Sequence, residues 1–354
     1  MKFRFEAAMA AVLSLGATLL LQAAPAAAAT ACAAEGRAHY LCGPANVEDM
    51  VLAPGTSWII ASGMAPDGGG PGHLYLIDAR AKTFADARLD LSGPARAPYG
   101  DCPGPLDPAK MAPHGLGLRP GGHGRSTLYV VNHGGRQSIE MFEVNAMGAR
   151  PTLRWIGCEL LPDNASGNGV APLPGGGFVA SKFMEAGDAK AFAKMAALQT
   201  TGALYVWTPG KGFRAVPGGA LSGDNGVETS PDGRFVFVNA WPEQRLVRFD
   251  LRGRLPPASV DVDFLPDNLR LAPDGRLLVA GQWPNIKTLL SCDKPKCPHA
   301  WTVVRLDPVS LKVTPVLHVA GTDVFSDATT ALQVGNELWI GTYKGDRVAY
   351  VRLP

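Results

Sequence analysis

The chain has 354 residues with 33 basic and 31 acidic side chains, so its formal net charge is only +2. The sequence contains no run of basic residues, and a nucleic acid is therefore not an expected partner. Its 42 glycines and 30 prolines lie between short apolar runs, which is typical of a fold built from many short strands and tight turns.

The N-terminal residues have the pattern of a secretory signal peptide. Two basic residues precede an apolar stretch from about Ala7 to Leu21, and the small residues Ala23–Ala29 offer several Ala-x-Ala cleavage sites. The alternative is a membrane anchor, but the apolar stretch is short for a span. We expect a signal peptide at residues 1–29 and no later membrane-spanning segment. Residues 30–354 are then expected to form one domain that is secreted or periplasmic.

All six cysteines follow this segment, and an even number in an exported chain favours disulfide bonds. No Cys-x-x-Cys motif occurs, so a zinc ribbon and a c-type haem site are not expected. The alternative is a free catalytic cysteine. Local closure favours one pair, and two others would complete a set: Cys292–Cys297, with Cys32–Cys42 and Cys102–Cys158.

A pattern of a short run, a tight turn and an apolar strand recurs six times along the chain. The turns start at Pro54, Pro120, Pro174, Pro231, Pro273 and Gly335. A second strand-like run follows each copy, at residues 73–79, 138–144, 203–209, 245–251, 301–308 and 347–353. The spacing of roughly 55 residues is the size of a four-stranded blade. The sequence therefore predicts an all-β, six-bladed β-propeller, because a β-sandwich or two all-β domains would not explain the regular sixfold spacing.

Residues 184–198 break this pattern, because they are rich in helix formers and lack strand alternation. They predict a small helical insertion between two strands of the third blade. Such a helix is either a plain surface element or a lid over the channel.

Polar residues recur at the equivalent position of each repeat. The residues six positions before the turns are Glu48, His114, Asn168, Asn225, Asp267 and Thr329. Rotation about the channel relates these positions, so their side chains can converge. Carboxylate and amide oxygens suit Ca²⁺. We expect one calcium ion bound by Glu48, Asn168, Asn225, Asp267 and the adjacent Asn268. The carboxylates of Glu48 and Asp267 would balance the charge of the ion. The alternative is that these residues cap strands.

His114 belongs to this ring, and His133 ends the strand that follows it. A hairpin would bring the two imidazoles together as a general base and its partner. The alternative is a pair of structural histidines.

The motifs that carry these residues resemble those of a known family. They are residues 47–50, 113–116, 129–133, 138–144, 159–168, 224–234, 266–269 and 335–342. In this order and at these spacings, the sequence resembles the serum paraoxonase/arylesterase family. That family belongs to the gluconolactonase (senescence-marker-like) superfamily of six-bladed propellers.

This resemblance implies a calcium-dependent lactonase or esterase with its catalytic calcium on the same five side chains. His114 and His133 fall on the family's proposed histidine pair, and Asp49 falls on a ligand of a second, structural calcium. Gly169 stands where the family has a second acid for that ion, which weakens the case for the second ion. Trp283 stands where paraoxonases have another pocket histidine, so we expect a different substrate range.

The sequence thus predicts a hydrolase for a small-molecule lactone or ester, with no serine triad because no Gly-x-Ser-x-Gly motif occurs. Calcium would polarise the carbonyl, and His114, oriented by His133, would take a proton from water. The alternative is a non-catalytic, calcium-stabilised propeller that binds a ligand or a protein partner. A third hypothesis is a lyase or synthase similar to strictosidine synthase.

Overall fold

The computed structural model describes residues 33–65, 70–292 and 297–353, whose strands form six sheets around a central channel. In chain order the first strands are β1 (His39–Cys42), β2 (Val47–Leu52), β3 (Trp58–Gly63), β4 (His73–Asp78), β5 (Thr83–Asp86), β6 (Leu89–Asp90), β7 (Pro113–Pro120), β8 (Arg125–Asn132), β9 (Ser138–Asn145), β10 (Thr152–Leu160), β11 (Ala165–Pro172) and β12 (Phe178–Glu185). The remaining strands are β13 (Ala203–Thr208), β14 (Gly212–Ala215), β15 (Asp224–Thr229), β16 (Phe235–Ala240), β17 (Arg245–Asp250), β18 (Ala258–Asp261), β19 (Leu265–Leu271), β20 (Leu277–Gln282), β21 (Trp301–Leu306), β22 (Val313–Val319), β23 (Ala328–Val334), β24 (Glu337–Thr342) and β25 (Arg347–Arg352).

The sheets are the blades of a six-bladed propeller, as the repeat predicted. Blades 1 to 5 are β2–β5, β7–β10 with β6 at its outer edge, β11–β14, β15–β18 and β19–β22. Blade 6 combines β23–β25 with β1, which pairs with β25 in the register His39↔Tyr350. The first strands of neighbouring blades touch one another and form the channel wall. The N-terminal strand therefore closes the ring, which leaves each blade with two neighbours.

The hydrophobic core of the described residues is divided among the six gaps between adjacent blades. Side chains alternate across each strand, so a blade presents apolar residues to both neighbours. Tyr129 of blade 2 and Phe178 of blade 3 fill one gap, while Ile59 of blade 1 and Trp339 of blade 6 fill another, and all four are fully buried. Packing of this kind fixes the rotation of each blade and hence the positions of the strands around the channel.

Two short helices lie at the end of the channel where the first strands begin. The predicted insertion is α1 (Ala191–Ala196), between β12 and β13 of blade 3. A second helix, α2 (Ile286–Leu290), follows β20 and was not predicted. Met195 of α1 packs with Trp241 and with Ile286 of α2. Both helices follow a second strand of a blade, so they cover the same face of the propeller.

The described cysteines are all in disulfide bonds. Two of the three predicted pairs are present, Cys102–Cys158 and Cys292–Cys297. Cys42 is also disulfide-bonded. Its predicted partner Cys32 lies outside the described residues, as does the predicted signal peptide at residues 1–29. Within the described part of the chain, no helix has the length and apolar character that a bilayer span requires.

Candidate active site

Polar side chains from several blades meet at the channel end that the helices cover. Asn268 on β19 donates from Nδ2 to Glu48 Oε1 on β2 at 2.6 Å. His114 on β7 places Nε2 3.5 Å from the same carboxylate oxygen. Asn168 on β11 donates from Nδ2 to His114 Nε2 at 3.3 Å. The ring inferred from the repeats thus brings residues of blades 1, 2, 3 and 5 into direct contact.

Glycines next to the ring residues allow the first strands to approach so closely. Gly115, Gly169 and Gly226 directly follow His114, Asn168 and Asn225. A Cβ atom at Gly115 would lie 2.2 Å from the backbone oxygen of Asn168, and one at Gly226 would lie 2.5 Å from that of Asp267. Only a residue without a side chain fits at these contacts between blades.

Three of the ring residues carry buried oxygen atoms without a hydrogen-bond partner. These atoms are Glu48 Oε2, Asn168 Oδ1 and Asn225 Oδ1, and each residue is at most 3 % exposed. A buried acceptor without a donor costs about 1–3 kcal/mol, so three such oxygens in one ring favour the binding of a cation between them. Carboxylate and amide oxygens are ligands that Ca²⁺ prefers. The residues present therefore fit a calcium ion.

Amide side chains make up much of this donor set. In the described ranges, no group of three or more His, Cys, Asp or Glu side chains could hold a metal ion. The candidate site contains only two carboxylates, Glu48 and Asp267, and is completed by amides. Burial raises the pKa of Asp267 well above its usual range, and the Glu48 carboxylate raises it further. A divalent cation between them would favour the ionised form of both carboxylates.

Buried polar residues on the second strands hold the ring in place, although the pattern of the repeats did not predict this role. Gln282 donates from Nε2 to Asp267 Oδ2 at 2.8 Å and accepts from Trp241 Nε1 at 2.9 Å. These two hydrogen bonds connect the ring to the helix-covered cluster around Trp241. The available signal was a polar residue after the apolar run of each second strand, namely Ser62, Asn132, Ser181, Asn239, Gln282 and Thr342.

The two histidines form a hydrogen-bonded pair beside the ring. His114 Nδ1 lies 2.9 Å from His133 Nε2, and His133 Nδ1 lies 2.8 Å from Gln137 Oε1. An amide oxygen only accepts, so His133 carries its proton on Nδ1 and accepts at Nε2 from His114 Nδ1. The proton-accepting atom of neutral His114 is therefore Nε2, which faces Glu48 and Asn168.

The electrostatic surroundings separate these histidines. Burial, together with a smaller effect of the neighbouring His114, lowers the pKa of His133 to about 4. Burial, the largest single effect, opposes the charged form of His114, but the carboxylates of Glu48, Asp267 and Asp49 together outweigh it and raise the pKa of His114. His133 thus remains neutral at physiological pH, while His114 is the member of the pair that takes up a proton.

Three other residues singled out in the sequence make contacts of a different kind. Thr329 donates from Oγ1 to the main-chain oxygen of Glu48 at 2.7 Å, so it positions β2. Asp49 turns away from Glu48 and pairs with Arg270 further down the channel. Trp283 follows β20, is 40 % exposed and packs its ring against His318.

The sequence profile of the arylesterase family matches residues 48–353, which include every candidate site residue. The chain belongs to the arylesterase family. This confirms the resemblance inferred from the motifs. No curated protein matches the chain in sequence.

Solved structures support the fold of this arylesterase-family chain. A luciferin-regenerating enzyme aligns with 13 % identity and a TM-score of 0.54, covering 88 % of this chain and 93 % of that one. A putative gluconolactonase aligns with 15 % identity and a TM-score of 0.53, covering 91 % and 94 %. At these identities the likeness establishes the common propeller fold alone.

Proposed function

We propose that this chain is a calcium-dependent hydrolase of small lactones and esters. Membership of the arylesterase family supports ester hydrolysis. The observation that carries the calcium requirement is the set of partnerless buried oxygens on Glu48, Asn168 and Asn225. They lie beside a histidine pair, which places a proton acceptor next to the candidate metal ligands.

Five side chains would hold the ion: Glu48, Asn168, Asn225, Asp267 and Asn268. Bound calcium would supply a Lewis acid that polarises the substrate carbonyl and stabilises the oxyanion. The charges of Glu48 and Asp267 would balance those of one divalent ion. Gln282 and Asn239 keep Asp267 in position through its side-chain and main-chain oxygens.

His114 would act as the general base through Nε2, the ring atom that faces the candidate ligands. It takes a proton from the attacking water, and Glu48 Oε1 at 3.5 Å stabilises the charge that develops on the imidazole. His133 accepts from His114 Nδ1 and is itself anchored by Gln137, so the ring is held in one orientation. His133 is thus a positioning residue rather than a second base.

Hydrolysis of γ-lactones, δ-lactones and phenyl acetate, with calcium or with excess EGTA, tests this proposal. We expect turnover that EGTA abolishes, that Ca²⁺ restores and that Asn225→Ala lacks. Asn336→Ala, in the exposed turn before β24, is the matched control and should keep full activity. Turnover that survives EGTA would contradict the metal requirement. No turnover, combined with a calcium-dependent rise in melting temperature, would favour a binding propeller instead.

We also propose that residues 1–29 are a signal peptide and that the mature chain is secreted or periplasmic. The disulfides Cys102–Cys158 and Cys292–Cys297 support an oxidising compartment. The intact mass of the protein recovered from expressing cells tests this. A chain that retains residues 1–29 in the cytoplasm would contradict it.

A further inference from the structure

We infer that this chain holds one calcium ion rather than two, because the Arg270 guanidinium takes the oxygen partners that a second ion would need. The inference rests on the proposed calcium site in the ring. It concerns the next layer of the channel, where the family resemblance assigns Asp49 to a second, structural calcium.

The Arg270 side chain crosses the channel from blade 5. Its Nε donates to Met50 O at 3.0 Å in blade 1, and its Nη2 donates to Leu116 O at 2.6 Å in blade 2. Nη1 donates to Leu269 O at 2.9 Å, and Nη2 also contacts Asp49 Oδ2. Blades 2 and 5 lie opposite each other in a ring of six, so the guanidinium spans the channel. Its acceptors are one carboxylate and three carbonyls, the kinds of oxygen that calcium binds.

Asp49 has no free acceptor position for a metal ion. Oδ1 accepts from the Met50 N–H at 2.8 Å and from Thr330 Oγ1 at 3.1 Å. Oδ2 accepts from the Leu116 N–H at 2.7 Å and from Arg270. Each carboxylate oxygen thus has two donors. This differs from Glu48 Oε2 in the ring, which has none.

The position after Asn168 offers no room for a second acid. A Cβ atom at Gly169 would lie 2.8 Å from Val227 N and 3.2 Å from Asn225 O, both backbone atoms of the neighbouring blade. A carboxylate at this position would therefore push blades 3 and 4 apart. The packing that brings Asn225 into the ring therefore leaves no room for an acidic side chain at position 169.

The buried charges also match a single ion. Arg270 pairs with Asp49, and both side chains are almost fully buried. The other carboxylate near the guanidinium is Glu228, whose pKa is raised by burial. Glu48 and Asp267 then remain as the two uncompensated carboxylates of the ring, and one divalent ion balances them. A second divalent ion would add two positive charges beside a buried guanidinium, which is strongly unfavourable at low dielectric.

Arg270 also separates the ring from the far mouth of the channel. A cavity of about 280 Å³ at that mouth is lined by residues of the first strands, among them Val51, Gly117, Val170, Glu228 and Arg270. The positively charged guanidinium of Arg270 therefore lies across the channel between the ring and this cavity.

Calcium stoichiometry on chelator-stripped mature protein tests the inference, measured by isothermal titration and by metal analysis after gel filtration. We expect one ion per chain. Two ions would overturn the inference and leave the proposed hydrolase intact. No bound ion would overturn both.

A double-mutant cycle in EGTA tests the role of Arg270 without reference to activity. Arg270→Met should lower the melting temperature, because it leaves Asp49 buried without a cation. Adding Asp49→Asn should recover part of that loss, so the double variant should be more stable than additivity predicts. Strict additivity would overturn the pairing. Arg234→Met is the control, since it removes a comparable ion pair with buried Asp250 outside the channel, and Asp49→Asn should not rescue it.

Discussion

Replacing Gly115 by alanine should weaken both the fold and calcium binding. The new Cβ would lie 2.2 Å from Asn168 O, whereas ordinary contacts begin near 3.4 Å. Strands β7 and β11 would have to separate by about 1 Å, as deduced from this difference. Overpacking of this kind costs about 1–3 kcal/mol of unfolding free energy. The same shift exceeds the tolerance of about 0.5 Å within which a binding site must be held.

The proposed ligand Asn168 would move with β11. Calcium binding would have to return Asn168 to its place, and part of the strain energy would oppose this movement. We expect the calcium dissociation constant of Gly115→Ala to rise by about tenfold or more, since 1.4 kcal/mol corresponds to a factor of ten. Urea unfolding in excess EGTA measures the stability change separately, and isothermal titration with Ca²⁺ measures the affinity.

Gly122→Ala provides the matched control, because Gly122 lies in the exposed turn of the same blade with no atom within 4 Å of an added Cβ. Its unfolding free energy should change by less than about 0.5 kcal/mol, and its calcium affinity should not change. If Gly115→Ala behaves like this control in both measurements, the close contact between β7 and β11 does not set the geometry of the ring.

Three further predictions concern titration and cross-linking. The kcat/KM for phenyl acetate should rise with pH through the pKa of His114, because only the neutral ring accepts a proton. No second acidic limb should appear above pH 5, because burial lowers the pKa of His133 to about 4. A flat profile would contradict His114 as the base. Burial raises the pKa of Asp224 to about 8, so the folded state keeps a proton that the unfolded state releases from about pH 4 upward. The unfolding free energy of the wild type, relative to Asp224→Asn, should therefore fall between pH 4 and 8 in urea titrations, and an unchanged difference would rule this out. Replacing Cys102 and Cys158 by serine opens a link between residues 56 positions apart and should lower the unfolding free energy by about 4 kcal/mol in guanidinium titrations; a loss below about 1 kcal/mol would show that the link contributes little.

The fold was predictable because it is a repeat. Each blade is a meander formed by about 55 consecutive residues, so its hairpin turns and its apolar alternation can be recognised in the sequence. Six copies leave the propeller as the simplest way to bury both faces of every sheet. The same regularity placed Glu48, Asn168, Asn225 and Asp267 on one ring, since equivalent positions are related by rotation about the channel. Helix α2 was missed because its few residues carry too short a pattern for a helix period to be recognised.

The contacts made after the ring closes were decided by tertiary structure alone. Arg270 and Leu116 are 154 positions apart in sequence, yet they hydrogen-bond across the channel because blades 5 and 2 face each other. The proton order from Gln137 through His133 to His114 likewise depends on a hairpin geometry that residue types do not specify. Periodicity determines which strand carries a residue and which face it occupies. The partner that a buried charge meets across the channel depends on how six separate blades pack.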